Sequence, residues 1–144
     1  MPEKRTHKLY ILMRNDMESM NAGKACAQAS HAANAFISHS VSGAINWDSG
    51  QAPIFVREWA NETTQGFGTA IVLGAKIEDI MTSVDRAVVA GYIAGVVHDP
   101  SYPVKDGQTV HLIPLDTCAY IFVPDDGSNV SSRTRLDLQA FKLY

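Results

Sequence analysis

Apolar residues fall along this chain in short runs parted by polar turns, and their spacing changes from run to run. "KLYILMR" is a continuous apolar run between charges, which predicts a strand buried on both faces over Lys8–Met13. "TAIVLGA", "YIAGVV" and "CAYIFV" have the same form and predict strands over Thr69–Gly74, Tyr92–Val97 and Ala119–Val123. Between the first two, "NAGKACAQASHAANAF" opens a helix of small side chains from Asn21 to Ser40, and "IFVREWANE" reads as a short helix with Phe55, Trp59 and Val56 inward. "KIEDIMTSVDRAVVAGY" repeats its apolar residues at helical spacing and closes on Gly91. "VSGAINWDSGQAP", "TTQGFG", "PSYPVKDGQ" and "PDDGSN" hold the glycines and prolines of connections. "TVHLIPL" is extended but contains Pro114, so it reads as an edge segment at best. The tail "RLDLQAFKLY" is apolar enough to dock.

The order strand, helix, helix, strand, helix, strand, strand predicts an α/β fold. We expect a single-domain α/β/α sandwich over residues 1–144 with a mixed, mostly parallel four-stranded sheet and helices on both faces. Ligands in such sheets sit at the carboxyl ends of strands. The loop after the first strand leads to Lys24, and the third strand ends at His98 and Asp99, so these two ends are expected to meet at one site.

Composition narrows the function classes. A chain of 144 residues that is 46% hydrophobic can bury a core, and its net charge of −3 argues against a uniformly basic nucleic-acid coat. A basic cluster still stands at the start, in "EKRTHK". The two cysteines, Cys26 and Cys118, give neither a disulfide framework nor metal spacing, and Cys26 is expected to be a buried thiol. The five histidines are scattered without a ligand pattern, so no metal is expected. No apolar run reaches membrane length, and Arg14 and Asp16 interrupt the only hydrophobic candidate for a signal, so we expect a soluble cytoplasmic protein.

The chemistry concentrates in the first helix. Lys24, Gln28 and His31 are spaced four and three residues apart and so share one helical stripe, while the alanines around them let a second element approach closely. Ser30 and His31 are neighbours on a helix and point about 100° apart, so they do not form a nucleophile–base pair. There is no G-x-S-x-G elbow and no phosphate-loop glycine spacing. Lys24 stands at the start of the helix, beside amides that favour anions, where a cation can hold a phosphate or a developing oxyanion.

The stretch "KLYILMRNDMESMNAGKACAQASHAANAF" resembles the opening strand, loop and helix of the type 2 peptidyl-tRNA hydrolases, with Arg14, Asp16, Gly23, Lys24, Ala27, Gln28, Ser30, His31 and Ala32 in register. "REWANETTQGFGTAIVLGAKIEDI", "AGYIAGVVHD", "CAYIFVP" and the closing "FKLY" are similar to later segments of that family. The family follows its third-strand aspartate with Ala-Gly-x-Thr, whereas here Asp99 is followed by "PSYPVKDGQT". Asp99 matches the family strand without a gap, and Asp106 keeps the family's spacing to Pro114 and Pro124; we align on Asp99, because a strand end is rigid. Thr117 and Cys118 both stand near the family's later threonine.

The resemblance implies a cofactor- and metal-independent esterase that cleaves peptidyl-tRNA into peptide and tRNA. It implies Lys24, Asp99, Gln28 and Thr117 as catalytic groups, Arg14, Asp16, His31 and Tyr102 as substrate-binding groups, and a possible homodimer. His31 is expected to hold the loop before the helix, and Tyr102 to offer a ring for a terminal adenine or simply to pack. Lys4, Arg5, Lys8, Arg14 and Lys105 are the expected tRNA contacts. The rival readings are a non-catalytic tRNA- or protein-binding module of the same fold, and a hydrolase of another small ester or amide.

Overall fold

The computed structural model describes residues 6–41, 52–125 and 136–144. The connection expected between the first two helices and most of the turn after Pro124 lie outside the described residues, as do Lys4 and Arg5.

The elements are β1 (Lys8–Arg14), α1 (Ala22–Val41), α2 (Ala52–Ala60), β2 (Thr69–Ala75), α3 (Ile77–Val89), β3 (Ile93–Asp106) and β4 (Thr109–Val123), followed by a 3-10 turn at Leu138–Ala140. The four strands form one sheet in the order β2-β1-β4-β3. Only the β1/β2 pair is parallel; β4 runs antiparallel to both β1 and β3. The expectation of a mostly parallel sheet is corrected to that extent. β1, β2 and β3 do point the same way, but β4 inserts between β1 and β3 and reverses both of those pairings.

Helices cover both faces, which is why the strands read as unbroken apolar runs. From β1, Leu9, Ile11 and Met13 pack toward α1 and α2 with Phe36, Phe55 and Trp59, while Tyr10 and Leu12 pack toward Ile80, Val84 and Ala87 of α3. Ile80, Val84 and Ala87 follow the four- and three-residue spacing of one helical face. Gly91 takes φ +87°, a left-handed backbone that closes α3. The tail docks as expected. Tyr144 N–H donates to the Val72 carbonyl (3.0 Å) and Gly74 N–H to the Lys142 carbonyl (2.9 Å), so the tail lines the open edge of β2.

The largest departure from expectation is the segment after Asp99. Of "PSYPVKDGQ" only Gly107 and Gln108 form a turn; the rest is the outer half of a long antiparallel ribbon in which Tyr102 pairs with Ile113 and Asp106 with Thr109. Its prolines mimic a connection, but β3 is the sheet edge, where a strand can lack N–H donors. The pairing also slips twice, between Val97 and His98 and between Asp99 and Tyr102. The first slip leaves Thr117 as the extra residue of β4, and the second leaves one extra residue on β3, in the Pro100–Ser101 stretch. β-bulges of this kind bend a strand and re-aim its side chains.

The small-residue face of α1 packs as predicted at Ala25, Ala32 and Phe36. Cys26 is the correction: it is exposed, because it lies on the solvent-facing side of the helix. Ala29 borders an open apolar hollow of about 230 Å³ with Ala22, Ala25, Cys26, Val72 and Tyr144. Ala32, by contrast, has no exposed surface. We therefore expect Ala32→Leu to overpack the helix–sheet contact and cost about 1–3 kcal/mol. Ala29→Leu has room to relax into the hollow and should cost clearly less; thermal melts of the two variants side by side check the order.

Candidate functional site

Three elements converge where β1, β2 and β3 point their carboxyl ends. α1 supplies Lys24 and Gln28, the bulged part of β3 supplies Asp99, and the bulge of β4 supplies Thr117. Asn21 starts the helix: its Oδ1 accepts the Lys24 backbone N–H at 2.9 Å, which satisfies a donor of the first turn. Lys24 and Gln28 then lie one turn apart and face the strands.

The centre is a buried chain of hydrogen bonds. Thr117 Oγ1 donates to Gln28 Oε1 at 2.6 Å, and Gln28 Nε2 donates to Asp99 Oδ2 at 2.7 Å. The other carboxylate oxygen, Oδ1, accepts the Ser101 backbone N–H at 2.9 Å and the Ser101 hydroxyl at 3.4 Å. Thr117, Gln28 and Asp99 are all buried. The carboxylate accepts but cannot donate, so it fixes the Gln28 amide with nitrogen toward Asp99 and oxygen toward Thr117. That in turn commits the Thr117 proton to Gln28 and leaves the hydroxyl lone pairs available.

Burial pushes the Asp99 carboxyl up. Hydrogen bonds from Gln28 and the Ser101 amide, the nearby His31 ring and the Ser101 hydroxyl together pull it down by more. Asp99 is therefore held below the ordinary aspartate value and is ionised at neutral pH. Cys118 behaves oppositely. Burial pushes its thiol up to about 11, against the Thr117 hydrogen bond and with the Asp99 charge adding to the rise. Its Sγ donates to the Gln28 main-chain carbonyl at 3.4 Å. A protonated, buried thiol is not a nucleophile. Thr117 is a member of the polar side-chain chain, and Cys118 touches it only through a long Thr117 Oγ1–Sγ contact of 3.8 Å.

Lys24 is half-buried beside this chain. Its Nζ donates to the Pro103 carbonyl at 2.6 Å and stands 5.0 Å from the centre of the Tyr102 ring. Tyr102 itself has no exposed surface, and its hydroxyl pairs with Ser19 Oγ at 3.1 Å. Of the two roles expected of this ring, packing matches its burial, and the stacking face for an adenine is corrected, because Lys24 and the loop before α1 cover it. His31 is exposed, and among the described residues it makes no hydrogen bond to that loop, so the holding role expected of it is also corrected. Ser19 with Tyr102, and Asn21 with α1, secure the loop instead.

Arg14 and Asp16 are engaged with the fold. Arg14 Nε and Nη2 donate to the two Asp16 oxygens at 2.8 and 3.3 Å, and Nη1 donates to the Asp116 carbonyl at 3.1 Å. Asp16 Oδ2 also accepts the Ile77 N–H at 3.2 Å, which caps α3 where Lys76 gives no side-chain cap. The Arg14 hydrogen bond is the largest influence on the Asp16 carboxyl and holds it below its usual value. The pair thus ties the end of β1, the middle of β4 and the start of α3 together beside the site. Asp106 lies elsewhere: it is 82% exposed at the ribbon tip, with His111 Nε2 3.6 Å away. Lys105 is exposed next to it, and Lys8 starts β1 at the opposite end of the strand from the site.

Sequence reasoning missed Ser101, Ser19 and the Pro103 carbonyl. Of these, Ser101 had a signal: in "DPS" an aspartate precedes a backbone N–H two residues on, the pattern of an Asx turn. A main-chain carbonyl that receives a lysine from another element leaves no such mark.

No curated protein matches the chain. Comparison with protein families matches residues 7–135 to peptidyl-tRNA hydrolase PTH2. That span takes in β1 and its loop, α1, α2, α3 and the ribbon that carries Asp99 and Thr117. No described helix is long and apolar enough to cross a membrane. With nearly the whole chain matched, the protein belongs to the peptidyl-tRNA hydrolase PTH2 family, a family of carboxylic ester hydrolases whose substrate is peptidyl-tRNA.

Proposed function

We propose that this chain hydrolyses the ester between a peptide and the terminal ribose of tRNA with Lys24, Gln28, Asp99 and Thr117 as the reacting cluster. The observation that carries this reading is the buried Thr117–Gln28–Asp99 chain one helical turn from Lys24. Ester hydrolysis needs a water aimed at the carbonyl carbon and positive charge where the oxyanion develops. The Lys24 ammonium uses one proton on Pro103 and has two left for an oxyanion or for the phosphate near the tRNA end.

Asp99 is ionised and accepts three hydrogen bonds, so its proton affinity is low. In this reading it orients water and the Gln28 amide and does not store a proton. Thr117 has no exposed surface and acts through Gln28, whose amide oxygen it holds. As the water's oxygen bonds to the carbonyl carbon, its proton passes to solvent; when the tetrahedral intermediate collapses, the C–O bond to the ribose breaks, and the departing oxygen takes a proton from solvent in turn. No cofactor enters the scheme. Substrate recognition then falls to cations outside the cluster, with exposed Lys105 on the ribbon and, from the sequence alone, Lys4, Arg5 and Lys8 toward the chain start as candidates, while Arg14 acts through the loop that it braces. A second copy of the chain is not needed to complete the cluster.

Three outcomes test this reading against labelled peptidyl-tRNA. Lys24→Ala should fold normally and lose about 100- to 1,000-fold in kcat, the usual effect of removing one oxyanion donor. A variant that melts like the parent and turns over like it would sink the assignment. Asp99→Asn and Asp106→Asn should separate cleanly: the first puts a carboxamide where the carboxylate now accepts three donors, and its rate should collapse, while the second should stay near parent activity. The reverse ranking would move the site to the ribbon tip. Binding of tRNA should weaken steeply with salt through counterion release, despite the net charge of −3. Lys105→Gln should lower the log–log slope by about 1. Salt-independent binding, or none, would favour the small-ester rival.

A further inference from the structure

Lys24 is held in an unusual way for a cation. Among the described residues it has no carboxylate partner; a main-chain carbonyl and an aromatic ring receive it instead. A carboxylate would neutralise the ammonium as it fixed it. A carbonyl and a ring face fix it and leave its full charge for an incoming anion. The ring is itself immobilised, since Tyr102 is fully buried and its hydroxyl is paired with Ser19 Oγ and lies 3.9 Å from Met20 Sδ. Ser19 and Met20 belong to the loop that leads into Asn21, and Asn21 caps the helix at the Lys24 N–H. One loop therefore sets both the main chain of Lys24 and the ring beneath its side chain. The bulge at Pro100–Ser101 matters as well, because it turns Tyr102 toward α1 with Asp99. The resemblance to the hydrolase family does not supply this ring; it comes from the segment where the chain departs from the family pattern.

We propose that Tyr102 is the positioning residue for Lys24: its ring, together with the Pro103 carbonyl, holds the ammonium in place as an unneutralised charge one helical turn from Gln28. This inference rests on the reading of Lys24 as the charged group of the reaction. A flexible lysine would spend most of its time away from the oxyanion, and electrostatic stabilisation depends on donors that are already in place. Removal of the ring's attraction should therefore reduce kcat and leave KM for peptidyl-tRNA nearly unchanged.

The test keeps the ring's shape and, from phenylalanine through its fluorinated forms, changes its charge distribution in steps. Tyr102→Phe loses the hydroxyl but keeps the ring, so it is the reference against which the rest of the series is read. Phenylalanines carrying one, two and three fluorines at position 102 weaken the ring's negative face in steps, and kcat should fall in step to a total of about five- to thirtyfold. KM and the melting temperature should hold. A flat kcat across the series overturns the proposal. A second readout does not need turnover: the Lys24 ε-methylene protons, assigned by their loss in Lys24→Ala, should be shifted upfield by the ring current in the parent and in Tyr102→Phe but not in Tyr102→Leu. An unshifted resonance in the parent also overturns it. The Lys24→Ala assay separates the two levels. If that variant is active, the reading of the site fails and this inference with it. If it is inactive while the fluorine series is flat, only the role of Tyr102 fails.

Discussion

The site depends on keeping one ionised carboxylate stable under cover. Asp99 is buried, and burial alone would drive it toward its neutral form. A buried charge is tolerated only when its lone pairs are met. Here Gln28 reaches it from α1 and Ser101 from its own strand, and Gln28 is in turn met by Thr117 from β4. The same few hydrogen bonds therefore join three elements, ionise an aspartate and orient an amide. An unmet partner in this chain would cost about 1–3 kcal/mol, which makes the arrangement close to all-or-none.

The two strand slips are what make that network possible. In a regular strand, adjacent side chains point to opposite faces. Thr117 and Cys118 nevertheless both reach Gln28, one at its side chain and the other at its main-chain carbonyl. Thr117 has no register partner, and the extra residue lets both face α1. On β3 the second slip, at Pro100–Ser101, brings Asp99 and Tyr102 toward the same helix. Arg14 and Asp16 secure the neighbouring strand ends to α3, so the irregular strands rest on a braced frame. The outcome is one edge of the sheet where acceptors, a hydroxyl and a half-buried cation are held by different strands but oriented by a single helix.

The outer ribbon shows how far this protein departs from a compact sheet. Val110 and Leu112 alternate along β4 and are more than half exposed, and their partners on β3 are Lys105 and Pro103. This ribbon extends past the last pairing of β4 with β1, which falls at Met13 and Cys118. Beyond that point its base is held by Arg14 at Asp116, by Gln28 at Asp99 and Thr117, by Lys24 at Pro103 and by Ser19 at Tyr102. Lys24 thus reports on the ribbon as well as on the site, because the Pro103 carbonyl that it donates to belongs to the ribbon.

The linear sequence carried the element order, the strands and helices of the core and the stripe that holds Lys24 and Gln28. These follow from periodicity, and periodicity survives in a single sequence because both sheet faces are buried at fixed spacing. It also carried the family, through the residues of the first loop and helix. It did not carry the path of the chain after Asp99. Prolines at 100, 103 and 114 look the same in a loop as at a strand edge or a bulge, and only the sheet order made β3 an edge. Nor could it place Cys26 outside, choose between Thr117 and Cys118, or show that Tyr102 lies beneath Lys24. Each of those turns on a register shift or on a contact between residues far apart in the chain. Local propensity has no term for such contacts, and they exist only once the strands have paired.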